Sequence, residues 1–428
     1  MSTQQEPSAW KKTILAAMTS YIDAGSIVAG AAGLSLWQAY LDMDGVQMGA
    51  LAALSSNAAS AAVGALIGGR ICDRYGRKFV YTYDLLVYIA GMLLIVFGVN
   101  YAMLLGGYII VGLGVGADIV ASWTLIAEEA PAEDRAKHCG SAQFAWALGP
   151  AVVLLVSAWI NQYGLIGNRI VFGHLILVAL WVWWQRLKMP ESKSFQEAKQ
   201  KEQQLIAEGK IKKVTYADIL SGVNLKTVLF LCGVYSIWNL CASTWGFFMP
   251  YIYENVGHLS NSMSQLMSVG SFVLSSLGTY FIFMQLGDKV SRRGLYCVIG
   301  GIYVIGWGVW VLPPEMLSMW MLVMFTVFAG INNGSGQQAF YQLWSSELFP
   351  TKYRATAQGL TFFITRIIAA CWGFSVPIIM ESLGFRYAAM MIVTFATISW
   401  LVGTIWAPNT SGKTLKEIEI ERYGHVVE

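Results

Sequence analysis

About twelve apolar runs, each near the length of a bilayer-crossing helix, follow one another along these 428 residues. A hydrocarbon crossing needs roughly 20 apolar residues. It also requires every backbone polar group to be satisfied within the chain, which leaves helices or a closed barrel. The runs fall near 14–38, 47–69, 79–99, 102–126, 139–160, 170–188, 226–252, 264–286, 295–312, 318–343, 356–380 and 386–407. They are too long and too evenly apolar for barrel strands, so the expectation is an all-α polytopic membrane protein. Composition agrees: 56% hydrophobic and 12% charged residues, with mean hydropathy +0.53, lie outside the range of soluble domains.

Positive loops are retained on the cytoplasmic side of a membrane, so Lys and Arg orient the spans. Lys11 and Lys12, the group Arg70 to Lys78, Arg135 and Lys137, Arg186 to Lys213, Lys289 to Arg293, Lys352 and Arg354, and Lys413 to Arg422 fall on one face. The alternate loops are nearly bare, with Arg169 and Arg386 as the main exceptions, read as interfacial anchors. Both termini are therefore expected in the cytoplasm, of a bacterial inner membrane to judge by the short loops. The net charge of +3 is spread over these loops and gives no nucleic-acid surface. One long polar stretch, 189–225, divides the chain into six spans (1–188) and six (226–407), with a tail at 408–428. It reads as an amphipathic surface helix rather than a regulatory domain. The six cysteines lie in spans or at their cytoplasmic ends and show no disulfide or metal spacing.

The halves repeat each other. After the second span stands Gly69-Arg70-Ile71-Cys72-Asp73-Arg74-Tyr75-Gly76-Arg77-Lys78, and after the eighth Gly287-Asp288-Lys289-Val290-Ser291-Arg292-Arg293-Gly294, with Met284 in place of the first glycine. After the fourth span Glu128, Pro131 and Arg135 keep offsets of 0, +3 and +7; after the tenth, Glu347, Pro350 and Arg354 do the same. Tyr21-Ile22-Asp23-Ala24-Gly25, Pro190-Glu191-Ser192 and the tail Pro408 to Glu419 are further marks. On these residues the chain resembles the major facilitator superfamily, nearest to its sugar-porter and metabolite–proton symporter branches. That resemblance implies two pseudo-symmetric six-helix bundles that rock about a central site. It also implies a cytoplasmic charge lock of Asp73, Arg74, Arg77, Glu128, Arg135, Asp288, Arg292, Arg293, Glu347 and Arg354.

A charge at a span centre costs about 2.5–3.5 kcal/mol even on a lenient scale, so the few intramembrane ionisable residues point to mechanism. Asp23 is the expected proton carrier, because a carboxylate whose access alternates between two aqueous faces ties protonation to conformation. Proton-coupled sugar porters place an arginine near the glycine run of the fourth span; here Tyr108 stands there. Asp118 and Asp84 are the other candidates for the proton relay, or partners for Arg366. Arg366 lies twelve residues after Arg354, about three turns into the bilayer, and needs an anion. Superfamily transporters of organic and aromatic acids carry an arginine at this offset.

The substrate contacts expected beside Arg366 are Asn239, Trp238, Trp245, Gln143, Trp146, Asn332, Asn333, Gln337 and Gln338, since orienting a polar solute takes a few placed hydrogen bonds in an apolar cavity. The glycine run at 106–116 is followed by no Lys-Ser/Thr pair and reads as a packing surface rather than a phosphate loop. No cofactor, metal or enzymatic chemistry is expected. The reading is a monomeric secondary transporter that takes up a small polar solute with protons, an organic or sugar acid in first place. A neutral sugar or polyol symporter, an efflux pump and a non-transporting nutrient receptor stand as alternatives.

Overall fold

The computed structural model describes residues 8–54, 58–207 and 215–427. Helices account for nearly all of them, and the described residues contain no strand. Ten helices are long and apolar enough to cross a membrane. We number twelve spans: α1 (Ala9–Leu41), α2 (Ala59–Tyr75), α3 (Arg77–Val96), α4 (Tyr101–Glu129), α5 (Arg135–Ile160), α6 (Gly164–Arg186), α7 (222–255), α8 (261–286), α9 (Arg292–Gly308), α10 (319–347), α11 (Arg354–Leu383) and α12 (Phe385–Trp406). The two outside the ten are α2 and α10. A short helix, Gly45–Ala53, precedes α2, with residues 55–57 between them outside the described set, and α10 breaks at Gly336 into Met319–Ser335 and Gln337–Glu347. Of the expected 189–225 linker, residues 208–214 lie outside the described set; Lys193–Ala207 is a helix, and α7 starts at Gly222.

Small residues let the N-terminal bundle close tightly, as expected where apolar lipid gives helices no hydrophobic reason to associate. A Cβ on Gly116 would stand 2.2 Å from the Ala61 carbonyl of α2, and one on Gly107 would stand 2.9 Å from the Gly91 carbonyl of α3. The glycine run of α4 is thus a two-sided packing surface.

Two other departures from regular α-helix shape the interior. One π turn occupies Cys232–Ser236 in α7 and another Thr279–Phe283 in α8, while α5 runs unbroken through Pro150. Such turns rotate the residues that follow them and often sit at functional positions. The Thr279 hydroxyl donates to the Gly334 carbonyl at 2.8 Å, tying the α8 turn to the end of the first half of α10. Beyond α12, the tail helix Leu415–Tyr423 opens on a capping box between Thr414 and Glu417. The Thr414 amide and hydroxyl hold the Glu417 carboxyl below its usual range.

Candidate functional site

The two halves meet most closely at the end where the repeated loops lie. Glu128 accepts from Arg77 of its own half at 3.1 and 2.7 Å and from Arg354 of the other half at 2.8 Å. Glu347 repeats the pattern, with Arg292 at 3.0 and 2.9 Å and Arg135 across the interface at 3.1 Å. The aspartates complete the two-fold arrangement. Asp73 caps α11, accepting from the amides of Ala355 and Thr356 at 3.3 and 2.7 Å; Asp288 caps α5, accepting from Ala136 and Lys137, both at 3.0 Å. Both glutamates are fully buried.

Arg74 and Arg293 stay outside this network. Each is the helical neighbour of a network residue and so points about 100° away. Arg74 lies over the Tyr75 ring, and Arg293 donates to the Ile405 carbonyl. The Pro-Glu-Ser motif joins in: Glu191 accepts from the Arg77 and Lys78 amides at the start of α3, and Ser192 donates to Glu128 at 2.6 Å.

Deeper in the bundle, Asp23 of α1 is buried, and among the described residues no donor reaches its Oδ1. The cation whose field reaches it is Arg366 of α11, in the opposite half. The Arg366 guanidinium lies 4.7 Å from the Phe362 ring centroid. Phe362 and Tyr341 each meet Trp123 of α4 edge-on at 6.0 Å, and Tyr341 stacks on Tyr235 at 4.0 Å. An aromatic cluster therefore spans the interface beside the charge pair, with Asn239 next to Tyr235.

Some expected substrate contacts are occupied by one another. Trp238 donates to Asn332 at 3.0 Å, Asn332 donates to Gln337 at 2.7 Å, and Asn333 returns to the Ala329 carbonyl at 2.8 Å. Asn332 and Gln337 thus join side chain to side chain across the break in α10, where the Gly336 amide donates to the Asn332 carbonyl at 2.7 Å. Trp245 packs on Phe272 of α8 at 5.1 Å, within its own half. Gln143 crosses the interface to the Asn333 carbonyl at 2.8 Å, and among the described residues its Oε1 meets no donor; Trp146 is half-buried one turn further along α5, and Gln338 is buried.

Asp118 is paired with Arg186 of its own half. Its two oxygens accept from Arg186 at 3.0 and 2.9 Å, from Thr19 at 2.7 Å and from Ser122 at 2.7 Å. Asp84 adjoins it, and both line a narrow crevice with Thr19, Ile22 and Tyr88. Sequence reasoning missed Arg186, counted there among loop cations although it ends an apolar run. It also missed Trp123, Tyr235, Tyr341 and Phe362. The spacing gave one signal: Tyr341 follows Gln337 by four residues and so shares its face.

Residues 13–374 match the Major Facilitator Superfamily. The chain belongs to that family. It is 52% identical over 415 residues to the minor myo-inositol transporter IolF of Bacillus subtilis (strain 168), covering 97% of this chain and 94% of that one. It is 24% identical to the glucose transporter GlcP of Staphylococcus epidermidis, covering 86% and 87%. The solved structure of the proton:xylose symporter XylE shares the fold, with a TM-score of 0.79 at 18% identity over 96% and 98% of the two chains. This major facilitator chain is an integral membrane transporter of a small molecule and not an enzyme.

Proposed function

We propose that the chain takes up a neutral polyol of the inositol class, together with protons, by alternating access, as a monomer in the plasma membrane of a bacterium with both termini cytoplasmic. The observation that carries the substrate class is the 52% identity, over 97% of the chain, with a transporter named for myo-inositol. The organic-acid expectation rested on Arg366 needing an anion. Asp23 supplies one from the opposite half, so Arg366 requires no charged substrate. A polyol instead needs neutral donors and acceptors against an apolar wall; Asn239 beside Tyr235, and the buried Gln143 and Gln338, offer them. Asp23, buried against a cation of the other half, is the proposed proton carrier. When the halves move apart its partner recedes and the cost of its charge changes, which links proton uptake to conformation.

Reconstitution of the full chain in proteoliposomes tests this reading. Labelled myo-inositol should enter saturably, be displaced by other cyclic polyols and accumulate only under an inward proton gradient. Displacement by sugar acids or muconate, with polyols inert, would restore the acid reading.

A further inference from the structure

We propose that Asp84 and Asp118 form a proton-sharing carboxyl pair that holds the transported proton on the lock side of Asp23 and releases it there. This deepens, and rests on, the proton-coupled reading above. The argument is one of donors and acceptors. Arg186 is turned to other acceptors: its Nη1 reaches both oxygens of Asp118, and its Nε and Nη2 reach the Leu15 and Ala16 carbonyls and the Thr19 and Ser122 hydroxyls. Among the described residues no donor reaches Asp84 Oδ2; its neighbour is another acceptor, the Asp118 carboxyl. Two buried carboxyls lining one narrow crevice beside one guanidinium cannot both ionise cheaply, so a proton between them supplies the missing donor.

The pair's position suits transit. Thr19 stands four residues before Asp23 on α1, one turn toward the lock, and its hydroxyl donates to Asp118. The groups facing the pair are Thr19 and Asp23 from α1, Tyr81 and Tyr88 from α3, Ser122 from α4 and Arg186 from α6. Arg186 is the only cation among them. A proton leaving Asp23 can pass through the Thr19 hydroxyl to Asp118 as the pair releases its own toward the lock side. The pair's charge is then unchanged over a cycle, and Asp23 is ready for reloading.

Infrared difference spectroscopy of the purified chain, paired with dye-reported proton entry during myo-inositol uptake into proteoliposomes, tests this. The wild type should show a protonated-carboxyl band that Asp84→Asn removes, and the variant should lose proton entry per inositol carried. Counterflow exchange reports whether the variant folds; if it does not, Asp84→Glu replaces it and should keep both band and proton entry. A band unaltered in Asp84→Asn overturns the pair. A band lost with proton entry intact overturns its transport role, leaving a fixed structural proton. Either signal missing in a folded Asp84→Glu overturns the proposal as well. Wild-type protein that carries inositol without protons fails at the parent reading and removes the pair's role with it.

Discussion

Asp23 and Arg366 belong to different halves, and the field of Arg366 reaches the buried Asp23 carboxyl across the interface. Removing one member of a buried pair leaves an uncompensated charge and costs about 3–5 kcal/mol, whereas replacing both removes the conflict. Asp23→Asn and Arg366→Gln should therefore each lower thermal stability in detergent, and the double variant should recover much of the loss, with a coupling energy of about 0.5–3 kcal/mol. Additive losses would mean that the two charges do not depend on each other. At this scale the sequence was informative where a residue's spacing from a loop motif set its depth, as for Arg366. It was uninformative where the partner lay on another helix. Asp118 and Arg186 are 68 positions apart, and nothing in either segment records that α4 and α6 bring them within 2.9 Å.

Helix ends carry much of the contact between halves. Asp73 and Asp288 each supply an N-cap to a helix of the opposite bundle, where the carboxylate also meets the positive end of the helix dipole. Losing an N-cap costs about 0.5–2 kcal/mol. Asp73→Ala should thus speed amide hydrogen exchange at Ala355 and Thr356. It should also speed exchange at Ala136 and Lys137 in the other cap, because both caps break when the halves part. Exchange confined to the cap that was altered would show two local contacts rather than one cooperative closure. The caps were legible as aspartates in repeated loops, but their acceptor role was not, since the amides they cap belong to the other half of the chain. The break in α10 was hidden for a different reason. Asn332, Asn333, Gln337 and Gln338 form a polar patch in an apolar run that suits a ligand as well as contacts within the bundle, and Asn332 and Gln337 bond each other across the break.

Across the whole molecule, the two interfaces that close the lock end are built alike, which explains why one motif departs from the pattern. Gly359 follows Arg354 by five residues, and Gly140 follows Arg135 by five. A Cβ on Gly359 would stand 2.3 Å from the Ala65 carbonyl of α2, so α11 and α2 touch backbone to backbone. On the other side, Gly140 receives the Met284 side chain, 2.5 Å from its would-be Cβ; the methionine that replaces the motif glycine fills space that its partner leaves open. Closure at this end therefore depends on glycines, Gly359 and Gly140 among them. Gly359→Leu would wedge α11 from α2, and overpacking of this kind costs about 1–3 kcal/mol. Because the strain exists only when the halves are together, it should shift the population toward the open-lock state roughly five- to 150-fold. Cys139, which lines the interface with Trp123 and Gln342, would report the change. In a variant keeping only that cysteine, Gly359→Leu should raise its alkylation rate and depress inositol uptake. Gly373→Leu on the same helix, where a Cβ meets nothing within 4 Å, should alter neither. Equal alkylation in the two variants would show that the approach of α2 and α11 does not govern which side of the transporter is closed.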